Sequence, residues 1–295
     1  MQKSRREFIK TAGLAVSALP LAGFNIINHS ELKADLTIQE AINLILSKVP
    51  GEKRKNTVDT VKSSDPNQKL TGIVTTFLAT VDVIRAAIEQ KANLIITHEP
   101  TYYNHLDETD WLKNDPVYQY KRDLLEKNNI VVWRFHDFWH QVRPDGILHG
   151  FLGKMDWRDN LNPKLENSVI VPETSMKKLA KQLKKKLGLD RTFIVGNPDM
   201  TCSKIGLLPG AWGRDPQISL LQKNIDVLVV GEVAEWETSE YVRDAAAAGM
   251  KKGLIILGHA LSEEPGMEYL VEWLEPVLPE VPVFHMASGD AFQKI

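Results

Sequence analysis

The sequence predicts an α/β protein in which a parallel or mixed sheet is flanked by helices. Short apolar runs alternate with segments whose apolar residues recur at helical spacing, an order typical of parallel strands joined by right-handed crossovers. Three apolar runs each end at a histidine: LIIT before His98, VVWRF before His136, and GLIILG before His259. Because the carboxyl ends of parallel strands share one edge of a sheet, where ligands bind in such folds, these histidines predict a metal site.

Residues 37–135 alternate between helix and strand. Residues 37–46 are amphipathic with Thr37 as a helix N-cap, and the polar residues 51–69 are expected to form mostly loop. The elements that follow are expected in this order: strand 70–77, helix 80–90, strand 93–97, helix 116–128 and strand 130–135. This β-α-β-α-β order implies parallel strands.

The pattern changes at residues 160–167, which are polar and contain proline and therefore predict a domain boundary. A basic helix is expected at 175–187, with Thr174 as its N-cap and Gly188 at its end. The other elements of this half are expected in this order: strands 169–171, 193–195, 204–208 and 226–230, helix 238–248, and strand 254–257.

These boundaries predict four segments in a chain whose length suits one large or two modest domains. Residues 1–34 are expected to be a targeting segment. Residues 35–160 and 222–295 are expected to form the two parts of an α/β metal-site domain, and residues 161–221 an inserted, smaller α+β domain.

The N-terminus resembles a twin-arginine export signal. Residues 4–10 read S-R-R-E-F-I-K and precede a weakly apolar stretch at 11–24. An amphipathic helix is the alternative, but Gly13, Pro20 and Gly23 disfavour it. We therefore expect a protein exported to the periplasm or another extracytoplasmic location. The apolar stretch is too short to serve as a permanent membrane anchor.

Composition gives no sign of nucleic-acid binding, without excluding it, and limits the types of metal ligand. The chain carries 36 Lys+Arg and 38 Asp+Glu, so its net charge of −2 gives no basic field for nucleic acid. The lysines of residues 175–187 lie on a helix whose apolar residues recur at helical spacing, and a solvated lysine face is expected there. The single cysteine, Cys202, excludes an internal disulfide and a thiolate cluster. Metal ligands must therefore be His, Asp or Glu.

The sharpest local spacing is that of His259 and Glu263, which stand four residues apart and share one face of a predicted helix. Gly258 allows a tight turn out of the preceding strand. A single histidine after a strand is more often a structural residue that hydrogen-bonds a loop. Together with His98 and His140, which also follow predicted strands, the pair favours a metal site. The remaining His105, His149 and His285 lack that setting and are expected to be structural.

Three segments carry a resemblance to one family. Residues 92–105, A-N-L-I-I-T-H-E-P-T-Y-Y-N-H, are similar to the A-D-L-I-I-x-H-H-P segment of the Nif-three-like dinuclear-metal-centre hexameric proteins, also called GTP cyclohydrolase I type 2 homologues. Within residues 225–263, I-D-V-L-V-V-G-E and G-H-A-L-S-E resemble the family's T-G-E or T-G-D strand and its G-H-x-x-S-E motif. Residues 281–295 are similar to its closing strand. The resemblance implies a Nif-three-like fold, two bound metal ions and a toroidal homohexamer.

Two departures from the family pattern compensate each other. Glu99 stands where the family has the second of two paired histidines, and His140 stands where the family has an aspartate. Three histidines and two carboxylates remain in either case. The resemblance thus implies one ligand set: His98, Glu99, His140, His259 and Glu263. It also implies further ligands or supporting groups at His136, Asp137 and Glu232. Glu263 and either Glu99 or Asp137 are the candidates for bridging the ions.

Imidazole and carboxylate ligands without sulfur suit Zn(II), Fe(II) or Mn(II), and two such ions would activate water for hydrolysis. Glu99 and Glu263 are the predicted catalytic groups. Arg143, Tyr103 and Trp139 are the candidates for substrate binding, although a core position is equally compatible with Trp139. Two functions stay open. One is a hydrolase of a small nucleotide-like, cyclic-amide or phosphoester substrate, and the other is a non-catalytic metal-binding or scaffold hexamer.

Overall fold

Two β-sheets, one of four strands and one of five, form the framework of residues 36–293, the part of the chain that the computed structural model describes. The predicted export signal at residues 1–34 lies outside this range. Within it, no helix combines the length and the apolar character needed to cross a membrane.

The strands in chain order are β1 Ile73–Thr76, β2 Leu94–Thr97, β3 Val131–Arg134, β4 Ser168–Ser175, β5 Phe193–Val195, β6 Thr201–Leu208, β7 Val227–Val230, β8 Gly253–Ile256 and β9 Val283–His285. The α-helices are α1 Ile38–Ser47, α2 Val81–Glu89, α3 Pro116–Lys127, α4 Asp137–Gln141, α5 Gly146–Met155, α6 Met176–Leu187, α7 Arg214–Leu221, α8 Glu240–Ala247 and α9 His259–Leu274. A π-helical turn at Glu235–Ser239 precedes α8.

Local sequence signals set most helix ends. Thr37 caps α1 in a capping box with Glu40, as its position predicts. Gly188 ends α6 at a left-handed φ of 67°, where glycine has no side-chain penalty. The predicted cap of α6 at Thr174 is wrong by one residue. The Ser175 hydroxyl accepts the cap hydrogen bond from Lys178 N, because β4 continues through Thr174.

The first sheet has the order β3-β2-β1-β9, and all of its strand pairs are parallel. Every residue of β1, β2 and β3 is buried, as expected of a parallel sheet covered on both faces. Aromatic side chains, including Trp133 and Phe135, fill the core on one face, where α1 and α9 pack. The predicted parallel β-α-β-α-β unit of residues 70–135 is confirmed.

The second sheet has the order β4-β6-β7-β8-β5, with β6, β7 and β8 parallel and the edge strands antiparallel. The expectation that the histidine-bearing strands lie in one sheet is wrong, since His98 and His136 follow strands of the first sheet and His259 follows β8. Strands β4, β5 and β6 come from residues 161–221. β6 pairs with β7 and β5 pairs with β8, both beyond residue 222, and β4 pairs with β6. Apolar pattern identifies a strand, but the partner that its backbone groups bond depends on the whole fold.

Helix α9 connects the two sheets. It starts directly after β8 and packs along α5 and against β1, where the Thr75 hydroxyl donates to Met267 O at 2.8 Å. The approach of α5 and α9 is close because glycines face the contact: a Cβ added at Gly150 would collide with the Pro265 carbonyl, and one at Gly266 with Ile147. The absence of side chains at these two positions sets the distance between the helices.

We expect Gly150→Ala to destabilise the fold by about 1–3 kcal/mol, because the added methyl group pushes α5 and α9 apart. Gly153→Ala on the same helix is the control, since its Cβ meets only the flexible end of the Arg158 side chain. The control should be neutral or slightly stabilising, because alanine favours helix over glycine. Chemical denaturation measures both variants. Equal stability of the two would contradict the proposed close contact.

Candidate metal centre

Six polar side chains converge where the ends of the two sheets meet. Two overlapping groups have their ligand atoms within 4.8 Å of one another: His98 with His136 and His140, and His98 with Glu99 and Glu263. The imidazole of His259 lies next to the carboxylates of both Glu99 and Glu263. The structure therefore brings together the five residues predicted as ligands and His136, one of the further candidates from the sequence.

The carboxylate oxygens lie between imidazole nitrogens. His259 Nε2 is 3.1 Å from Glu263 Oε2 and 3.4 Å from Glu99 Oε1. Glu263 Oε2 is also 3.6 Å from His98 Nε2, and Glu99 Oε1 is 3.8 Å from His136 Nε2. Each carboxylate thus faces two histidines from different parts of the chain.

Three imidazole rings form a compact cluster beside these carboxylates. Ring centroids are 4.6 Å apart for His98 and His136, 5.0 Å for His98 and His140, and 5.0 Å for His136 and His140. His136 and His140 lie on one short segment that begins at the end of β3 and continues into α4, so both rings point to the same centre. His136 is therefore as well placed as His140 to be a ligand.

Polar groups behind the centre orient the histidines. The Nδ1 atom of His140 lies 2.8 Å from Asp145 Oδ2, and that of His98 lies 3.3 Å from the Phe135 carbonyl. Asp137 Oδ1 lies 3.1 Å from His136 Nδ1. Hydrogen bonds to the outer ring nitrogen leave Nε2 directed at the centre, the arrangement typical of histidines that bind metals.

Asp137, a predicted candidate for bridging the ions, belongs to neither of the two groups of ligand atoms found among the described residues. Its Oδ2 accepts hydrogen bonds from the Thr57 hydroxyl and from Val58 N, and its Oδ1 faces His136 Nδ1. The carboxylate therefore stands behind His136. Glu232 lies 3.7 Å from His259 Nδ1 and is more than half exposed, so it occupies the open side of the centre.

Asp59 holds the α4 segment in place, although nothing in its sequence context predicts this. Its buried carboxylate accepts hydrogen bonds from the backbone N–H groups of His136, Asp137 and Phe138, at 2.8–2.9 Å. Asp59 thus caps the helix that carries two of the imidazoles. A polar loop residue 77 positions away from its partner leaves no periodic signal in the sequence.

Arg134, the last residue of β3, fixes Glu99. Its fully buried guanidinium donates to Glu99 Oε2 at 3.0 Å and to the His98 carbonyl at 3.1 Å. One oxygen of Glu99 is therefore held by the arginine, and the other faces the histidines. In the sequence this arginine only interrupts an apolar run, so its role is visible only in the structure.

Helix α9 presents His259 and Glu263 from the opposite side. Gly258 has a φ of 104°, which turns the chain sharply from β8 into the helix. The buried Ser262 hydroxyl donates to the His259 carbonyl and accepts from Gly210 N, tying the first turn of α9 to the loop after β6. This hydrogen bonding accounts for the serine in the G-H-x-x-S-E motif.

Burial and neighbouring charges determine the protonation of these groups. Burial, reinforced by His136 and His140, lowers the pKa of His98 well below its usual value, so His98 is neutral. Burial also raises the pKa of Glu263. Burial lowers the pKa of His259, but hydrogen bonds to Glu263 and Glu99 outweigh this effect. The pKa of His259 is therefore raised to about 10. A proton on His259 thus compensates the carboxylates, and a divalent cation would replace it.

The donor set fits divalent metal ions. The Nε2 atom of His98 is fully buried and has no hydrogen-bond partner among residues 36–293, although an unsatisfied buried polar atom is costly. Its neutral ring offers a lone pair to a cation. Imidazoles and carboxylates without a thiolate suit Zn(II), Fe(II) or Mn(II). The described residues therefore form a possible metal site.

Comparisons with known proteins agree with this architecture. Residues 37–289 match the family model described as Duf34/NIF3 (NGG1p interacting factor 3). The chain belongs to this family. Among curated proteins, the "GTP cyclohydrolase 1 type 2 homolog" of Clostridium acetobutylicum is 22% identical over 231 residues, which cover 74% of this chain and 82% of that protein.

Solved structures show the same fold. The hypothetical protein SA1388 of Staphylococcus aureus superimposes with a TM-score of 0.70 at 18% identity, covering 88% of this chain and 100% of that one. A Bacillus cereus protein related to NIF3 gives a TM-score of 0.69 at 15% identity, covering 88% and 99%. The predicted NIF3-like fold, with parallel and mixed sheets flanked by helices, is confirmed.

The centre of this NIF3-family chain opens into a cleft of about 2000 Å³. Glu99, His136, His140, His259 and Glu263 line the cleft, and the predicted substrate-binding residues Arg143 and Tyr103 line it as well. Trp139 does not. Its ring is fully buried in the core beside Phe135 and Trp273, so the structure favours the core position that the sequence left open for it.

We expect Asp59→Ala to lower metal retention about tenfold or more, because the carboxylate positions both histidines of the α4 segment. Asp115→Ala is the matched control, since Asp115 caps α3 through Val117 N and Tyr118 N. Each variant loses a cap, which costs about 1 kcal/mol of stability. Metal content by mass spectrometry should fall only in Asp59→Ala. An equal content in both variants would show that Asp59 does not organise the centre.

Proposed function

We propose that this protein is a metal-dependent hydrolase with two divalent ions held by His98, Glu99, His136, His140, His259 and Glu263. The observation that carries the proposal is the buried, unpartnered His98 Nε2 at the centre of a cluster of imidazoles and carboxylates that lines a large cleft. Such ions would supply Lewis acidity and activate water at neutral pH, the two requirements of metal-assisted hydrolysis.

The residues of the centre divide this work. Arg134 donates to Glu99 Oε2, so Oε1 is the oxygen of Glu99 that would hold an ion. Glu263 Oε2 faces both His98 and His259, so Glu263 would help to hold the ions. Glu232 is more than half exposed, lines the cleft and lies 3.7 Å from His259 Nδ1. Glu232 would be available to accept a proton from water in the cleft, because Glu99 and Glu263 would be occupied in holding the ions.

The substrate is proposed to be a small nucleotide-like, cyclic-amide or phosphoester compound. A cleft of about 2000 Å³ exceeds the roughly 300–1000 Å³ of most small-molecule sites, so a nucleotide-sized compound can enter. The guanidinium of Arg143 lines the cleft close to His140 and suits a carboxylate or phosphate. The name of the Clostridium relative mentions GTP cyclohydrolase, which fits a ring-opening hydrolysis of this kind.

We expect His259→Ala to abolish metal retention and any hydrolysis. The substitution removes a proposed metal ligand whose Nε2 lies next to both the Glu99 and the Glu263 carboxylate. Glu263→Gln should retain the fold and lose activity, since the amide keeps the size of the carboxylate but weakens the bridge. Turnover in a broad hydrolase screen, metal content and native mass should be measured on wild type and both variants.

The same measurements distinguish a scaffold from an enzyme. Loss of activity in a still-assembled Glu263→Gln protein supports the hydrolase. If wild type turns over no substrate, while both variants lose their assembly or thermal stability, the metals serve a structural role and the hydrolase proposal fails.

We further propose that the chain forms a homohexamer. The family resemblance supports the hexamer, and large exposed apolar side chains between residues 103 and 120, including Trp111 and Tyr120, supply surface for self-association.

We also propose that the protein is exported. The S-R-R-E-F-I-K motif at residues 4–10 supports export by the twin-arginine route.

A fusion of residues 1–40 to a reporter should leave the cytoplasm of a bacterial host. Replacement of Arg5 and Arg6 by lysine should stop this export, because the route recognises the arginine pair. Cell fractionation measures the result. Unchanged export of the lysine variant would exclude the twin-arginine interpretation.

A further inference from the structure

A buried lysine that forms no ion pair with any described residue lines the cleft. Lys121, on α3, is 3% exposed, and its Nζ donates to the Thr101 carbonyl at 2.7 Å. No carboxylate among residues 36–293 lies within ion-pair distance of this amine. The nearby Asp107 is engaged by Lys62 Nζ at 3.1 Å and lies close to Arg134.

An unpaired buried ammonium group is unfavourable for folding. Lysine is almost never fully buried unless it is paired, and an apolar side chain of the same size is usually more stable in such a place. Burial lowers the pKa of Lys121 to about 8, so most of the side chain still carries its charge at neutral pH. Asp107 favours the charge only from beyond ion-pair distance, and the Tyr102 and Tyr103 rings face Nζ at 5.9 and 5.5 Å. The charge is therefore only partly compensated, and no ion pair among residues 36–293 holds it.

Lys121 lines the same cleft as the metal centre. Its hydrogen-bond partner Thr101 stands two residues after Glu99, and two Cα–Cα steps span at most about 7.6 Å. Tyr103 and His105, from the same loop, also line the cleft. The His105 ring lies 6.2 Å from the His136 ring, so the loop leads from the centre to the lysine.

The loop around the lysine is well ordered. Asn104 donates to the carbonyls of Tyr102 and Glu108 and accepts from two backbone N–H groups, and Asp107 Oδ1 accepts from Tyr102 N. Tyr103 is held at a φ of 62°, is 55% exposed, and places its ring 5.5 Å from Lys121 Nζ. This arrangement preorganises the wall for a ligand.

We propose that Lys121 is an anion-binding residue that holds a phosphate or carboxylate group of the substrate beside the metal centre, with Tyr103 covering it. The ammonium group has three donors, and the Thr101 carbonyl takes one of them. A negatively charged substrate group supplies the missing counter-charge and the missing acceptors. This inference rests on the proposed hydrolase function and narrows its substrate to an anionic compound.

The test compares anion binding by Lys121→Met and Lys127→Met in the full chain with its metals. Lys127 is exposed on the same helix, so it controls for loss of one lysine charge. Calorimetric titration with inorganic pyrophosphate and with malonate measures the affinity. We expect Lys121→Met to weaken one or both by about tenfold or more, as for loss of a charged hydrogen bond, and Lys127→Met to bind like wild type.

Two further measurements exclude a purely structural role. Lys121→Gln keeps a donor for the Thr101 carbonyl but removes the charge, and it should bind the anions as weakly as Lys121→Met. Metal content should equal that of wild type in both variants, and the unfolding temperature of Lys121→Met should be unchanged or higher. A preference for pyrophosphate indicates a phosphate-bearing substrate, and a preference for malonate indicates a carboxylate.

Equal anion affinity in wild type and both Lys121 variants would overturn the proposal, and so would a loss of affinity that follows a loss of metal. Failure of the hydrolase proposal is distinguishable, because anion binding is measured without turnover. A protein that turns over no substrate but loses pyrophosphate binding in Lys121→Met retains the anion site.

Discussion

The close packing of α9 against α5 is the constraint on which the candidate centre depends. Helix α9 leaves the second sheet at Gly258 and lies along the first sheet, where facing glycines set its distance from α5. Its first two turns carry His259 and Glu263 to the ends of β2 and β3. A shift of this helix would move two of the six candidate ligands relative to the other four.

Supporting polar groups give the centre its order. Asp59 and Asp145 hold the segment of His136 and His140, and Arg134 holds Glu99. Buried polar networks stabilise one arrangement only when their members are satisfied, so these contacts leave the ligand atoms little freedom. Arg134 also explains how a carboxylate is accommodated at position 99, because the buried positive charge of its guanidinium offsets the negative charge of Glu99.

Local signals made much of the fold predictable. The amphipathic spacing of α1 and α2, the N-cap of α1 and the apolar runs of β1, β2 and β3 depend on neighbouring residues, so the sequence shows them directly. The division into two sheets was not predictable in this way. All β-strands offer the same backbone donors and acceptors, and the choice of partner depends on packing between distant segments.

The sequence by itself determined which residues can bind metal, because histidines and carboxylates at strand ends keep their chemistry in any fold. His98, His140, His259 and Glu263 were identified on this basis. Only the tertiary structure decided how they are arranged: it grouped the His136 ring with those of His98 and His140, placed Asp137 behind it, buried Trp139 in the core and brought Asp59 and Arg134 to the centre. These roles depend on contacts between residues far apart in the chain, and hydrogen bonds of that kind leave no periodic pattern in the sequence.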